Sequence, residues 1–531
     1  MTLTDPFRKP LRTLRAQLQR RRRHADDWLW QRWPQAWRAP HEVVDRFDTW
    51  AYLDDLQRRL SELLDSAGVA HVVLDTGSLP EPRIAVRAPD ADRALAVIAN
   101  SSAGRPWWAA RVRSGLIGRA RPVRQQRAGG ADGVLISRNL VSPAGIPLTD
   151  SESGVLIEFW SVTDAPTRRS GGSQLPPGTI IAPTSNGVLD YIDADQWAQA
   201  QHEGHRLPAT PPHLLSMVEP IDLVYTWVDG NDPAWLARKA DALGLPSEAR
   251  YSSDAAIDAR FANRDELRYS LRSVEMFASW VRRIWIVTDG QTPEWLKPDD
   301  RLRIVDHREI FADPNALPVF NSHAIESQLH HIDGLAEHYL YLNDDMLFGA
   351  PVRPEHFFNG AGLIKMFISR VAVIDPAPRN EDDLAVSAAA KNNRAFLERE
   401  FGRTITHKLW HTPQPHLRSV MEQFEQEQPA LFDTVMRSRF RSVADHALTS
   451  SLDGYYAMAK GQAAPSRIRY GYLDLGSVDA WKTLELWLRR RNLQCLCIND
   501  SGAEDPAVQR ANDAALRDFF DNYYPVPSRW E

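Results

Sequence analysis

Cysteine is almost absent from this 531-residue chain, which contains only Cys495 and Cys497. Two cysteines cannot build a disulfide framework or complete a zinc-ligand set. Apolar runs long enough to span a bilayer are also missing, and arginines interrupt the first 40 residues, where a signal peptide needs an apolar core. These absences predict a reducing, cytoplasmic setting in which any membrane contact is peripheral.

An excess of positive charge is missing as well. The formal net charge is −6, which argues against a general nucleic-acid binder, because such proteins meet phosphate with Lys and Arg. Hydrophobic residues make up 43% and charged residues 25%, as in a soluble globular protein. A chain of 531 residues is too long for one ordinary core, so we expect two or three domains.

Residues 1–40 form a distinct basic segment. An arginine run at 20–23 follows an apolar stripe at helical spacing, formed by Phe7, Leu11, Leu14 and Leu18. A basic amphipathic helix of this kind predicts contact with an anionic membrane surface. The alternative is a solvated helix that packs on its own domain.

Residues 41–210 alternate helical and strand-like stretches and include linkers rich in Ser, Gly and Pro. This pattern predicts a smaller α+β domain followed by a linker. No motif in it indicates a chemistry, so its role stays open.

Residues 218–531 have a different pattern, in which apolar strands alternate with helices. The alternation predicts an α/β catalytic domain with a mostly parallel sheet. Three successive strands end in acidic or amide side chains, at 229, at 289 and at 343–345. Ligands of such sheets bind outside the carboxyl ends of the strands, so we expect these side chains to face one crevice.

The acidic residues at these strand ends suit a metal ion. Asn343, Asp344 and Asp345 supply hard oxygen ligands, and Asp500 follows another short apolar strand. Mg²⁺ binds through one or two carboxylates plus substrate phosphates, so the acids Asp344, Asp345 and Asp500 predict a site for Mg²⁺ or Mn²⁺. The alternative for each acid is a polar turn. The apolar stretch 346–348 weakens that alternative for the triplet, because it holds the acids between buried elements.

Two groups of arginines suit phosphate. They are Arg264, Arg268 and Arg272 at helical spacing, and Arg437, Arg439 and Arg441. The guanidinium is a rigid, always charged fork that matches phosphate oxygens. The alternative is that these arginines pair with nearby acids on a solvated face.

Histidines are concentrated in one loop. His407, His411 and His416 fall in a segment whose prolines forbid a regular helix. A histidine on a shaped loop can act as a general base near neutral pH. A lone histidine is more often structural, and residue type alone does not choose among the three.

Taken together, these motifs resemble the Stealth family of sugar-1-phosphate transferases. Four regions of the family are matched in order: residues 221–235; 264–275 with 286–291 and 320–348; 411–422 with 439–445; and 497–500. The family includes bacterial capsule polysaccharide phosphotransferases and the animal enzyme that tags lysosomal glycoproteins with N-acetylglucosamine-1-phosphate. Long motifs in the right order are far more specific than one short pattern.

The resemblance implies a nucleotide-sugar-binding catalytic domain of the glycosyltransferase-A kind. Carried over by position, the catalytic residues are Ser322, Glu326, Asn343, Asp345, His416 and Arg441. Among them, His416 is the preferred general base and Glu326 its rival. The expected nucleotide-sugar-binding residues are Trp227, Asp229, Gly230, Arg264 and Arg268.

The implied reaction moves a hexose-1-phosphate, such as N-acetylglucosamine-1-phosphate, from a UDP-sugar to a hydroxyl of an acceptor glycan and releases UMP. It belongs to capsule or exopolysaccharide synthesis. One alternative is a metal-dependent glycosyltransferase that releases UDP. Another is a non-enzymatic glycan-binding or membrane-scaffold protein, which the 18 tryptophans and the basic N-terminus would suit.

Overall fold

The computed structural model of the chain contains two compact units, one that ends at Ser216 and one over Met217–Glu531. The expected membrane-binding helix within residues 1–40 lies outside the described residues. No helix in the described ranges is both long enough and apolar enough to cross a bilayer. The structure describes residues 41–74, 82–101, 107–150, 153–168, 172, 174–185, 189–207, 211–244, 263–502 and 505–531.

The first unit is built on a mixed sheet. The strands that the structure describes there are β1 (Glu42–Val43), β2 (His71–Leu74), β3 (Arg83–Arg87), β4 (Trp107–Arg113), β5 (Leu116–Ile117), β6 (Arg121–Pro122), β7 (Gly133–Arg138), β8 (Leu140–Val141), β9 (Val155–Val162), β10 (Thr167–Arg168), β11 (Gln174–Leu175), β12 (Ile180–Ile181) and β13 (Tyr191–Ile192). A nine-stranded sheet runs in the order β13-β12-β9-β7-β4-β5, with β3 and then β2 attached through β9, and β6 attached to β4. The pair β3–β9 is parallel, and β7 is antiparallel to both of its neighbours.

Three helices accompany this sheet in the described part of the unit: α1 (Thr49–Ser66), α2 (Ala91–Ser101) and α3 (Ala194–His202). Helix α1 begins where the Asp48 side chain accepts a hydrogen bond from the Trp50 amide at 2.9 Å. Its apolar stripe of Leu56, Leu60 and Leu64 is fully buried, as the i, i+4 spacing requires. The α+β fold expected for this part of the chain is confirmed.

The second unit contains the strands whose ends carry predicted site residues. They are β14 (Ile221–Thr226), β15 (Ile284–Thr288), β16 (Leu302–Asp306), β17 (His338–Asn343), β18 (Met346–Phe348), β19 (Ile364–Met366), β20 (Ile368–Val373), β21 (His407–Leu409), β22 (Gln414–Leu417), β23 (Ala463–Pro465), β24 (Tyr470–Asp474) and β25 (Cys495–Asn499).

A five-stranded sheet in the order β16-β15-β14-β17-β22 forms the centre of this unit. The first four strands are parallel, and β22 is antiparallel to β17. Runs such as IDLVYT and IWIVT are buried almost throughout, as strands covered on both faces require. The expected α/β domain with a mostly parallel sheet is confirmed.

A second, three-stranded sheet joins β18, β25 and β24. Because β18 is antiparallel to β25, Met346 lies opposite Cys497. This pairing brings residues 495–500 to the turn that follows β17, although the two segments are far apart in the sequence.

The described helices of the second unit are α4 (Pro233–Ala242), α5 (Glu266–Phe277), α6 (His307–Ile310), α7 (Ser322–Glu326), α8 (Ala385–Phe401), α9 (Arg418–Glu427), α10 (Pro429–Met436), α11 (Asp453–Ala459), α12 (Ala480–Arg490) and α13 (Pro506–Tyr523). A buried apolar cluster that includes Val224, Trp285, Leu329 and Tyr339 connects the central sheet to the segment around α7. The core therefore fixes α7 relative to the carboxyl ends of the strands.

Candidate active site at the carboxyl edge of the sheet

The carboxyl ends of β14 and β17 lie side by side, because Thr226 pairs with Asn343 in the parallel register. The Tyr341 hydroxyl donates to Asn343 Oδ1 at 2.6 Å and lies 3.0 Å from Thr226 Oγ1. Tyr341 is itself buried. This network holds the Asn343 amide at the edge of the sheet, where the sequence predicted a catalytic residue.

Three carboxyl groups near it act on one another through their charges. We call Glu266, Asp344 and Asp345 the acidic cluster. Burial raises the pKa of Asp344 to about 7, and the charge of Asp345 adds to this effect. Burial also raises the pKa values of Asp345 and Glu266 to about 7, with further contributions from the Glu266 charge on Asp345 and the Asp344 charge on Glu266. Like charges gathered in a desolvated place are typical of a functional site, and a cation would relieve their repulsion.

Hydrogen bonds hold Asp345 in place, but one of its carboxylate oxygens has no partner within the described residues. Its carbonyl accepts from the Ile498 amide at 3.0 Å, and its Oδ2 accepts from the Cys497 thiol at 3.5 Å. The other carboxylate oxygen, Oδ1, is buried and has no hydrogen-bond partner within the described residues. A buried carboxylate oxygen without a donor fits a divalent cation.

Arg264 and Asp500 form an ion pair with each other beside the acidic cluster. Arg264 Nη2 lies 2.7 Å from Asp500 Oδ2, and its Nε donates to Asp513 Oδ1 at 2.9 Å. The Arg264 backbone amide donates to Glu266 at 2.6 Å. The charge that balances Asp500 is therefore already supplied, and a ligand role for Asp500 or a phosphate role for Arg264 needs this pair to open.

Arg268 is engaged elsewhere on helix α5. Arg268 and Arg272 each lie 2.6 Å from the carboxylate of Glu531. These two arginines hold the last residue of the chain against the helix. The alternative stated for these arginines, ion pairing with an acid, therefore describes their geometry. The acid, Glu531, is however distant from them in the sequence.

A second group of polar residues lies at the start of helix α7. Arg441 Nη2 donates to Ser322 Oγ at 2.7 Å, which brings together two residues predicted to be catalytic. We call them the serine–arginine pair. Glu326 is four residues further along and 3% exposed, and its Oε2 has no hydrogen-bond partner within the described residues. The Glu326 charge and, above all, burial hold the pKa of Tyr341 well above its usual range, so Glu326 lies close to the strand end.

The buried carboxylate of Asp445 organises the loop that carries Arg441. It accepts from Asn321 Nδ2 at 2.9 Å and from the Ser442 amide at 3.1 Å. Asn321 in turn caps α7 through the His323 amide at 3.2 Å. The serine–arginine pair is therefore positioned by a hydrogen-bonded network and does not depend on the mutual contact alone.

The two main histidine candidates lie in different surroundings. His416 is 2% exposed, its Nδ1 lies 2.5 Å from Asp453 Oδ2, and it occupies the residue of β22 paired with Tyr339. That position is four residues before Asn343, or about 13 Å along the strand. The structure does not bring His416 to the predicted site residues at the strand ends.

His411 lies within reach of the charges of Glu326 and Arg441. The residue is exposed to solvent, but the surrounding protein lowers the pKa of its imidazole by desolvation. The charges of Glu326 and Arg441 also act on that pKa, in opposite directions. The structure thus groups His411 with Glu326 and the serine–arginine pair, a choice that residue type alone left open.

Trp227, Asp229 and Gly230 follow β14, and Gln291 ties them to the end of β15. Its side chain accepts from the Asp229 amide at 2.9 Å and donates to the Asp229 carbonyl at 3.1 Å. Trp227 is buried at 7% exposure. These bonds fix the loop that was predicted to bind the nucleotide.

Two members of the site escaped the sequence analysis. They are Glu266 and Tyr341, neither of which was named as a site residue from the sequence. The signal for Glu266 was weak, because an acid in the first turn of a helix is common for dipole reasons alone. The approach of α5 to the strand end is a tertiary feature.

An α/β unit with an acidic cluster at its carboxyl edge and an arginine–serine pair beside it defines a class of site suited to phosphate-bearing substrates. Four conserved regions of the Stealth protein family match this unit: region 1 at residues 219–245, region 2 at 260–366, region 3 at 410–458 and region 4 at 487–531.

Individual relatives extend the match to most of the chain. Exopolysaccharide phosphotransferase SCO6021 of Streptomyces coelicolor is 39% identical over 494 residues, which cover 88% of each protein. Exopolysaccharide phosphotransferase CpsY of Mycobacterium tuberculosis is 36% identical over 404 residues, 75% of this chain and 73% of that protein. The chain therefore belongs to the Stealth family.

Other comparisons are less complete. Exopolysaccharide phosphotransferase SCO6023 of Streptomyces coelicolor is 50% identical over 313 residues, which are 59% of this chain, and the chain spans about half of that relative, 52%. A solved galactosyltransferase, LgtC, crystallised with donor and acceptor sugar analogues, aligns with 58% of this chain and 98% of its own at 13% identity and a TM-score of 0.30. A likeness this distant carries no argument about function.

Proposed function

We propose that this chain is a phosphotransferase that moves a hexose-1-phosphate from a UDP-sugar to a hydroxyl of an acceptor glycan during exopolysaccharide synthesis. The observation that carries the proposal is the acidic cluster at the carboxyl edge of the sheet, next to the serine–arginine pair. The relatives named exopolysaccharide phosphotransferases support the reaction class. N-acetylglucosamine is one example of the sugar whose 1-phosphate would be transferred.

In the proposed step, the acceptor hydroxyl oxygen attacks the β-phosphorus of the UDP-sugar. The bond between that phosphorus and the bridging pyrophosphate oxygen breaks, and UMP leaves with the oxygen. The product is a sugar–phosphate–sugar diester, and the hydroxyl proton passes to a base. Positioning and charge stabilisation supply most of the catalysis in phosphoryl transfer.

Asp344 and Asp345 are the residues that would hold Mg²⁺ or Mn²⁺, with Glu266 behind them. The unpartnered Oδ1 of Asp345 and the raised pKa values of the cluster support this assignment. A divalent ion supplies charge neutralisation for the pyrophosphate when it is bound. Arg441, directed by Ser322 and the Asp445 network, would stabilise charge on the transferred phosphoryl group.

The general base is best assigned to His411 or Glu326. Both lie near Arg441, and Glu326 keeps an unpartnered carboxylate oxygen. His416, the base preferred from the sequence, is buried and pairs with Asp453 through Nδ1, while its Nε2 has no hydrogen-bond partner within the described residues; it lies farther from Arg441 along the strand than the two candidates near the strand ends. We propose that His416 supports the packing of strand β22 and that His411 or Glu326 takes the proton.

A metal-dependent glycosyltransferase remains the rival function, because the same donor and metal would serve attack on the anomeric carbon. The leaving nucleotide separates the two. The purified chain is incubated with a panel of UDP-sugars and an acceptor glycan, and the nucleotide is identified. We expect UMP in proportion to transferred sugar phosphate; UDP in that proportion would assign the chain to the glycosyltransferases.

The proposed setting is the cytoplasmic side of a membrane on which glycan is made. The basic helix predicted in residues 1–40 would provide a peripheral contact with anionic lipid. Nucleic acid is not an expected partner.

A further inference from the structure

A cluster of metal-ligating side chains lies outside the residues assigned to transfer. His330 and His331 occupy a short 3₁₀ turn, Leu329–His331, and Glu425 lies on helix α9. We call these three residues the histidine–glutamate cluster. The Nε2 atoms of both histidines lie 2.8 Å from the same carboxylate oxygen, Glu425 Oε2. One ligand atom from each residue falls within 4.8 Å of the others.

The hydrogen bonds of His331 orient its ring for a ligand role. Its Nδ1 lies 2.9 Å from the Ile310 carbonyl, which can only accept, so Nδ1 carries the proton. A neutral His331 therefore directs the Nε2 lone pair at the carboxylate of Glu425. Two lone pairs at this distance require a positive charge between them, either a proton or a metal ion. A backbone carbonyl behind the second ring nitrogen is the usual support of a metal-binding histidine.

The cluster is also accessible and negatively charged. The His330 side chain is fully buried, but the side chains of His331 and Glu425 are 28% and 27% exposed, which leaves a path for an ion. Glu422 lies three residues before Glu425 on α9, and its charge acts on both histidines. Residues three apart share a helix face, so Glu422, whose carboxylate lies 3.6 Å from Arg418, can supply a fourth ligand by turning from that exposed ion pair.

We propose that the histidine–glutamate cluster is a binding site for a first-row transition metal ion, of which Zn²⁺ fits best. Two imidazole nitrogens and a carboxylate oxygen form a ligand set that selects zinc over magnesium. Tetrahedral ligands at about 2.0–2.2 Å from zinc lie about 3.3 Å apart, so the two contacts with Glu425 must lengthen by about half an ångström.

The position of this site assigns it a structural role. The 3₁₀ turn begins three residues after helix α7, which carries Ser322 and Glu326. Helix α9 begins directly after β22, the edge strand of the central sheet. A metal ion at the cluster therefore pins the segment behind the serine–arginine pair to the edge of the sheet, separately from the ion expected at the acidic cluster.

The test uses the full chain without a histidine tag and with Asp345→Asn, so that the acidic cluster does not compete. Zn²⁺ is titrated calorimetrically, and Co²⁺ is added as a spectroscopic probe of tetrahedral geometry. We expect one equivalent of Zn²⁺ and a visible tetrahedral Co²⁺ spectrum. Adding Glu425→Gln or His331→Asn should weaken Zn²⁺ binding at least ~10-fold and remove the thermal shift that Zn²⁺ produces.

His205→Asn is the matched control, because His205 pairs with a single carboxylate, Asp65, at 2.8 Å. It should leave Zn²⁺ affinity unchanged. Melting temperatures in chelator show whether each variant is folded, and His331→Asn replaces Glu425→Gln if the latter is not. Equal Zn²⁺ affinity with and without the cluster substitutions, or no Zn²⁺ binding at all, would overturn the proposal. The positive charge between the three side chains would then be a proton.

Discussion

One carboxylate of the first unit and the acidic cluster of the second unit are balanced in opposite ways. In the first unit, Glu158 is 2% exposed and meets Arg83 at 2.5 Å, while its second oxygen accepts from Trp160 Nε1 at 3.0 Å. In the second unit, Asp344 and Asp345 lie together with Glu266, and burial raises all three pKa values to about 7. Matched charges serve the fold, whereas like charges held together lower stability and indicate a site. The comparison predicts that similar substitutions have opposite effects in the two units.

The largest effect is expected for Asp345→Asn. The change removes a predicted metal ligand without opening a cavity, so transfer should fall to background, while the melting temperature is unchanged or higher because repulsion is relieved. Turnover and melting temperature are measured on the same preparation. A variant that melts lower and keeps its specific activity would mean that Asp345 is a structural residue.

Glu158→Gln in the first unit is the control for this contrast. It breaks the largely buried ion pair with Arg83, and removing one member of a buried ion pair typically costs about 3–5 kcal/mol of unfolding free energy. The protein that remains folded should keep its specific activity. Loss of specific activity here would show that the first unit contributes to transfer.

A second pair of substitutions compares the two histidines. If His411 is the base, His411→Gln should lower kcat by ~10²–10⁴-fold with little change in melting temperature, because a lost general base has this effect and the ring is exposed. His416→Gln should instead lower the melting temperature, because it breaks the buried contact with Asp453.

The reverse pattern would restore His416 as the general base, as the sequence resemblance implied. If both His411→Gln and His416→Gln keep the wild-type kcat, Glu326 is the remaining candidate base. Glu326→Gln is then the variant whose kcat decides the assignment.

The sequence predicted the central sheet well because its strands are long buried runs with clear ends. The side chains after β14, β15 and β17 reach one edge, as parallel strands require. It could not predict which arginine binds which acid. Arg268 and Arg272 find Glu531, a partner more than two hundred residues away, through packing that no local pattern contains.

The same limit explains the histidines. His411 and His416 have similar sequence surroundings, and only the antiparallel pairing of β22 with β17 places one in the core and leaves the other near Arg441. Residue type indicates which side chains are capable of proton transfer. Strand register decides which of them lies in the core and which lies near Arg441.

A smaller effect is expected in the pH dependence of stability, and its sign should differ between the units. The Asp344 pKa is raised in the folded state from 3.8 to about 7, so its contribution to stability is lost as the pH rises across that window. Asp344→Asn should therefore raise the melting temperature at neutral pH and leave it nearly unchanged near pH 3.8, the lower end of this window.

His71 in the first unit should act in the other direction. Burial lowers its pKa from 6.5 to about 4, so the unfolded chain takes up the proton first and stability falls as the pH drops through that window. His71→Asn should reduce this loss of stability at low pH. Melting curves across pH in the absence of divalent metal measure both slopes, and equal slopes in wild type and variants would contradict the comparison.

The smallest effect on turnover is expected from deleting residues 1–40. The stripe of Phe7, Leu11, Leu14 and Leu18 among arginines predicts binding to anionic lipid by insertion of the apolar face and attraction of the basic one. The deletion should abolish flotation with anionic liposomes and leave turnover on a soluble acceptor unchanged, because the predicted catalytic residues all lie after residue 217. High salt should weaken flotation of the full chain, since the attraction between exposed charges is screened. Flotation that survives the deletion would assign membrane binding to one of the two units, and lost turnover on the soluble acceptor would make the segment part of the enzyme itself.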